Sequence, residues 1–180
     1  MASIFGHALV SVALVKNFSK KKQTWKLFIL AVICAIVPDA DVIGFQFGVS
    51  YQSFWGHRGF THSFLFAFLF GVAITFLFYR KQFLTQKGIA LILFFFLCTA
   101  SHSILDALTT GGHGVAFFSP FNDTRYFFPF RPIKVSPLGI LKFFSERGLK
   151  VIYSELTWIG IPSMIYIFIT ALLKRKTKNE

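Results

Sequence analysis

Apolar positions along this chain gather into long runs separated by basic, polar and proline-rich stretches. A helix needs about 20 mostly apolar residues to cross a hydrocarbon core, and Phe60 to Tyr79 and Leu156 to Leu173 supply such runs. Gly88 to Leu105 is a third, slightly shorter. Leu27 to Val37 is apolar but is cut by "PDAD", so it spans only if the chain stays buried through Ile43. Ile4 to Val15 is shorter still and reads as a short helix packed inside a bundle or lying at the interface. Its basic stretch "KNFSKKKQTWK" follows it, whereas a signal peptide carries its positive charge first.

The fold class predicted is an all-α integral membrane protein, a bundle of about four to five membrane helices forming one domain over 1–180. Residues 106–155 are the exception. "GGHGVAFFSPFNDTRYFFPFRPIKVSPLG" holds four of the six prolines, which rules out one long helix there. An irregular aromatic and proline-rich cap is expected, with its rings at headgroup level.

Composition supports the membrane reading: 54% of residues are hydrophobic, 26 are Phe, and the mean hydropathy is +0.62, far from soluble norms. Cys34 and Cys98 lie within apolar segments and suggest no disulfide framework. The net charge of +12 invites a nucleic-acid reading, but its residues cluster at segment ends. Lys16, Lys20, Lys21, Lys22 and Lys26 form one cluster, Arg80, Lys81 and Lys87 a second, and Lys174, Arg175, Lys176 and Lys178 a third. Such clusters mark cytoplasmic loops and anionic headgroups, so no nucleic-acid partner is expected.

Placing all three inside makes the segments alternate in direction. Asp39, Asp41, His57, His62, His102 and Asp106 then all fall at the outer ends, and His7 joins them if the first segment enters from outside. Only Lys and Arg entered the assignment, so this convergence is informative. Arg125, Arg131, Lys134, Lys142, Arg147 and Lys150 would lie outside, which long connections tolerate.

Ionisable groups beside lipid are costly and usually pair, coordinate or line a cavity. In "SHSILD", His102 and Asp106 are four apart and share one helix face, and both offer ligand atoms for zinc and related divalent metals. Alone, such a pair equally describes a carboxylate orienting a histidine. "PDAD" ends an apolar helix. On a continuing helix Asp39 and Asp41 would point about 200° apart, whereas in an extended turn they would share a side.

In "HRGFTHS", Gly59 allows a turn, Thr61 or a neighbour caps a helix starting near His62, and His57 lies on the entering loop. Arg58 offers a planar fork to an anionic oxygen, or a headgroup contact. His7, between Ser3 and Ser11 at four-residue spacing, puts a polar stripe on an apolar helix. Together these residues point to a shared metal site at one end of the bundle.

"GHALV", "PDADV", "HRGFTHS", "SHSILDALTTGG" and "SPFNDTRYFFPF" together resemble a bacterial inner-membrane family described as metal-dependent hydrolases, the YdjM-like group once called LexA-binding. The likeness runs from His7 to about Glu155, and HRGxTHS is its most specific block. It implies a multi-pass protein of the bacterial inner membrane with a metal site built from His7, Asp39, Asp41, His57, His62, His102 and Asp106. The residue order is also remotely similar to zinc-dependent phospholipases C. Their later His-x3-Glu is absent here, and Glu155 in "SELTW" is the carboxylate that could replace it, or else an acid at a helix N-terminus.

The function expected is membrane-bound, metal-dependent hydrolysis of a phosphoester or ester bond in a lipid or lipid-linked substrate. Two or more divalent ions, zinc first among them, would activate water near the outer face. Asp39 or Asp41 would accept the proton, Arg58 would stabilise phosphoryl charge, and the aromatic stretch Val115 to Phe130 would admit an acyl chain. The alternative is a non-enzymatic divalent-metal-binding or transport protein, which calls for polar residues at mid-membrane depth. A di-iron lipid oxidase calls for more than five histidines, and a haem protein leaves the aspartates unexplained.

Overall fold

The computed structural model describes residues 1–16, 24–137 and 145–179. Lys20, Lys21, Lys22 and Lys142 lie outside the described residues, as do the side chains of Lys176 and Lys178. Among the described residues five helices carry the fold: α1 (Ile4–Val15), α2 (Trp25–Ile36), α3 (Phe64–Phe78), α4 (Gln86–Ala107) and a last long one, α5. That helix runs Glu146–Glu155, continues through a π-helical turn at Leu156–Gly160, and resumes as Ile161–Asn179. No strand occurs among the described residues, only isolated bridges pairing Thr109 with Ile133 and Val115 with Tyr126.

Each of the first four helices starts on a hydroxyl cap, which satisfies an otherwise orphaned amide. Ser3 accepts from the Gly6 amide, Thr24 from Leu27, Ser63 from Phe66 and Thr85 from Gly88. Because Ser63 caps α3, that helix is 15 residues long and falls short of the full run expected from Phe60 to Tyr79. Residues Phe60–His62 form a separate 3-10 turn instead.

Among the described residues, three helices are long and apolar enough to cross a bilayer: Trp25–Phe47, Gln86–Ala107 and Glu146–Arg175. The second segment reaches spanning length because α2 continues directly into a 3-10 helix at Val37–Phe47, although within the protein burial holds only at Pro38 and Asp39 and Ile43 is 54% exposed. Pro38, at the first turn of this segment, has no amide to donate, so the α-ladder is broken there without a buried cost. At its far end Gly48 adopts the left-handed region (φ 76°) and returns its amide to the Gly44 and Phe45 carbonyls, a common way to end a helix. Helix α5 begins at Glu146, inside the stretch expected to be irregular; "ERGLKVIYSE" is strongly amphipathic and its charges disguised it as connection.

The tightest pairing joins α3 to α4. Gly71 makes it close: a Cβ there would lie 2.8 Å from the Ile92 carbonyl oxygen and 2.9 Å from the Phe96 nitrogen. Small residues at such crossings let two backbones approach within a membrane. Around this seam Leu27, Leu30, Ile74, Phe94 and Phe95 form the main apolar core. Cys34 and Cys98 are buried free thiols within it.

The basic ends meet as the charge pattern required. The Lys26 ammonium donates to the Phe78 carbonyl and sits 4.6 Å over the Tyr79 ring, and Lys174 donates to the Lys16 carbonyl. This brings the ends of α1, α2, α3 and α5 together at one pole. The histidines and aspartates occupy the other.

Candidate metal centre

Five separate pieces of chain deliver the polar cluster. Helix α1 supplies His7, the 3-10 segment supplies Asp39 and Asp41, and the loop before α3 supplies His57 and Arg58. His62 comes from the short 3-10 turn, and His102 and Asp106 come from the last two turns of α4. His7, Arg58, His62, His102 and Asp106 are fully buried, and Asp39 and His57 are 8% and 3% exposed.

At the centre, His102 Nε2 and His62 Nε2 face each other at 3.0 Å. Their other nitrogens fix the tautomers. His102 Nδ1 lies 2.7 Å from the Ala35 carbonyl, which only accepts, so Nδ1 carries the proton. His62 Nδ1 lies 3.2 Å from Asp41 Oδ2 and is a donor for the same reason. With both rings neutral, the two Nε2 lone pairs would confront each other in a dry interior. Either a proton on His62, which the neighbouring Asp39 and Asp41 carboxylates favour, or a cation between the rings removes that repulsion.

Two carboxylates complete the group. Asp39 Oδ1 is 3.3 Å from His102 Nε2 and 3.7 Å from His62 Nε2, and Asp106 Oδ2 is 3.7 Å from His62 Nε2. Candidate ligand atoms of Asp39, His62, His102 and Asp106 all lie within 4.8 Å of one another. With zinc–ligand bonds of about 2.0–2.1 Å, a tetrahedral site has ligand atoms about 3.3 Å apart, so these spacings fit. Both Asp39 oxygens and both His7 nitrogens are buried with no hydrogen bond, while Asp106 Oδ2 is held by Arg58 Nε at 3.0 Å. Leaving a buried group unmet costs on the order of 1–3 kcal/mol, and a cation at the Asp39 carboxylate would offset that cost.

Asp41, His57 and His62 form a second group that could hold a metal. Here the carboxylate is already engaged. Asp41 Oδ1 pairs with His57 Nδ1 at 2.7 Å, while Oδ2 accepts from the Arg58 amide at 3.2 Å and the Thr61 hydroxyl at 2.8 Å, beside His62 Nδ1. The observed backbone is neither the continuing α-helix nor the extended turn considered from sequence. On a 3-10 helix residues two apart diverge by about 120°, and Asp39 and Asp41 use that divergence to reach opposite nitrogens of the His62 ring.

Arg58 is turned inward. Its Nε lies 3.0 Å from Asp106 Oδ2, Nη1 donates to the Gly111 carbonyl at 2.8 Å, and Nη2 donates to Thr109 Oγ1 at 3.0 Å. It is also the residue that takes the left-handed backbone (φ 65°), a role the sequence suggested for Gly59. Gly59 is needed for space instead, because a Cβ there would lie 2.3 Å from the Phe54 carbonyl.

His7 stacks on His102 with ring centroids 3.7 Å apart, and its Nε2 is 3.5 Å from Asp106 Oδ1. Glu155 is not brought into either His/Asp group. Its oxygens accept from the Ser3 amide and hydroxyl, both at 2.5 Å, tying α5 to the start of α1.

Sequence reasoning missed several supporting residues. Thr61 and Thr109 sit inside the recognised motifs, and their hydroxyls are the natural partners of crowded charges. Arg125 gave no local signal: it donates to the His57 carbonyl at 2.7 Å and the Tyr51 carbonyl at 3.0 Å across a long loop. The Tyr51 ring meets His57 edge-on at 5.3 Å, and burial pushes its phenol pKa up.

Comparison with known proteins places the chain among inner membrane proteins. The profile of a family described as YdjM inner membrane protein matches residues 1–177. Inner membrane protein YbcI of Escherichia coli (strain K12) is 38% identical over 165 residues, covering 92% of this chain and 94% of that protein. No solved structure matches the chain.

Proposed function

The chain belongs to the YdjM inner membrane protein family, and on that premise we propose that it is a membrane-embedded, metal-dependent hydrolase acting on a phosphoester of a lipid or lipid-linked molecule. The observation that carries this reading is the convergence of Asp39, His62, His102 and Asp106, whose ligand atoms lie within 4.8 Å of one another in the buried interior with both Asp39 oxygens unbonded. Three carboxylates, Asp39, Asp41 and Asp106, are set there against the Arg58 guanidinium and the Met1 ammonium, 3.0 Å and 3.9 Å from Asp106. That excess of negative charge suits a divalent cation and would be hard to keep beside lipid without one.

His62, His102 and Asp106 would hold the ion, with zinc the best match to this donor set. When bound, it would lower the pKa of a water molecule and polarise the phosphoryl oxygen. Asp39 is the most exposed of the four central groups, and both its oxygens are unbonded. It takes the proton of the attacking water. Asp41 holds the His62 and His57 rings in orientation, as carboxylates behind metal-bound histidines do. Arg58 holds Asp106 in place through its buried fork.

The basic pole sits inside by the positive-inside rule, so the cluster works near the outer face. Metal analysis of the detergent-purified protein, paired with a lipid phosphoesterase panel on wild type, His62→Ala and Asp106→Asn, tests the proposal. Stoichiometric metal and turnover in wild type, both lost in the variants, is the expected result. Wild type without metal ends this reading; metal without turnover favours a metal-binding or transport role.

A further inference from the structure

Outside the cluster, a groove of about 270 Å³ runs between α1 and α5. Phe5, Gly6 and Leu9 form one wall and Ile152, Leu156 and Ile159 the other. Gly6 keeps it open, since a Cβ there would come within 3.0 Å of Ile159 Cδ1 and 3.2 Å of Glu155 Cδ. The π-helical turn at Leu156–Gly160 supplies Leu156 and Ile159, and π-turns occur often at functional sites. One end is closed by Ser3 and Glu155, whose mutual hydrogen bonds leave neither carboxylate oxygen unpaired. The rest of the lining is hydrocarbon.

The groove lies along the candidate span Glu146–Arg175, only 22% of whose apolar window is buried. Its mouth is flanked by Phe5 and Leu156, 72% and 57% exposed, so hydrocarbon is the medium against it in a bilayer.

We infer that this groove seats one acyl chain of a bilayer lipid. The groove shares a wall with the metal centre. Gly6 lines it while the adjacent His7 faces inward, and Ala2, next to Ser3, donates its amide to Asp106 Oδ1 at 2.9 Å. A tail held here fixes a lipid beside the cluster; its role as the tail of a substrate rests on the hydrolase reading, and its binding does not.

Photolabelling separates the two. The full chain is reconstituted in vesicles of phosphatidylethanolamine and phosphatidylglycerol carrying a phospholipid with a diazirine on its acyl chain, irradiated, and mapped by mass spectrometry. Leu9, Ile152 and Ile159 are expected to label several-fold above Ile165 and Phe168, which face lipid farther along α5. Ile152→Trp, at the half-open rim, removes the excess while leaving Ile165 and Phe168 labelled. The same pattern in metal-loaded protein that turns over no lipid phosphoester sinks the hydrolase reading and keeps the groove. Equal labelling of groove and outer residues, or labelling concentrated on Phe118 to Phe130, overturns the inference.

Discussion

Replacing Arg58 with lysine distinguishes a residue that binds substrate from one that holds the site together. The guanidinium spans three directions at once: Asp106 Oδ2 at 3.0 Å, the Gly111 carbonyl at 2.8 Å and Thr109 Oγ1 at 3.0 Å. Lysine keeps the charge but lacks the planar fork, and from this buried position it meets about one of the three. Hydrogen bonds involving charged groups contribute about 1.5–3 kcal/mol each, and weakening a buried ion pair on one side costs about 3–5 kcal/mol. The two routes agree on a loss of about 3–5 kcal/mol, and the left-handed backbone at φ 65° gains no relief. At about 2–4 °C per kcal/mol for a chain of this size, the midpoint should fall by about 10 °C. Cys34 and Cys98 are free and fully buried, so a thiol-reactive fluorophore reports the unfolding directly. Metal content should fall alongside, because Asp106 loses its anchor. An Arg58→Lys protein with wild-type midpoint and metal content, and a defect confined to KM for an anionic substrate, would refute this assignment.

Three further outcomes follow from the same geometry. Zinc at about 1,000 times its dissociation constant should stabilise wild type by about 4 kcal/mol, with chelator reversing the shift; His62→Ala should show none, and a wild type equally unresponsive would remove the case for a metal. Asp41→Asn cannot accept at both positions, so metal affinity measured by calorimetry should drop about 10–100-fold while full loading returns at higher metal; unchanged affinity would show that Asp41 does not orient the rings. For orientation, Gln52→Cys beside the His/Asp pole should react with a membrane-impermeant maleimide on intact cells, and Lys81→Cys at the basic pole only after permeabilisation. The reverse pattern would put the site on the cytoplasmic face. Native Cys34 and Cys98 stay silent because both are 0% exposed.

Much of the bundle was legible because lipid imposes a long-wavelength signal. Apolar runs and the Lys and Arg clusters between them marked the helices and the two poles, and the contacts of Lys26 and Lys174 realise that arrangement. What the apolar runs concealed was where each helix yields to the site. Phe60 to His62 are as continuous with α3 in sequence as Ser63 is, yet the turn leaves the helix so that His62 reaches His102 and Thr61 reaches Asp41. The opposite error arose at Glu146, where charge on one face of a helix hid a membrane-spanning continuation. Arg125 and the Ala35 carbonyl were invisible for a third reason: their partners are 68 and 67 residues away in the chain.

The "PDAD" motif shows how a small backbone change sets the chemistry. Asp39 and Asp41 on an α-helix would face almost opposite ways, and on a strand they would reach the same side and crowd one ligand. The 3-10 segment begun at Pro38 opens an angle between these limits, and the His62 ring fits inside it. Asp41 takes the Nδ1 side at 3.2 Å, while Asp39 stands on the Nε2 side at 3.7 Å. One carboxylate thereby fixes the tautomer that exposes a lone pair, and its neighbour stands where that lone pair points. An 11-residue 3-10 run is long for a conformation with poor hydrogen-bond geometry. The placement of two acids around one imidazole supplies a reason for keeping it. The same logic makes Asp39 and Asp41 non-equivalent despite their matching chemistry: an exchange of roles would require the helix to rewind, which the buried Pro38 resists.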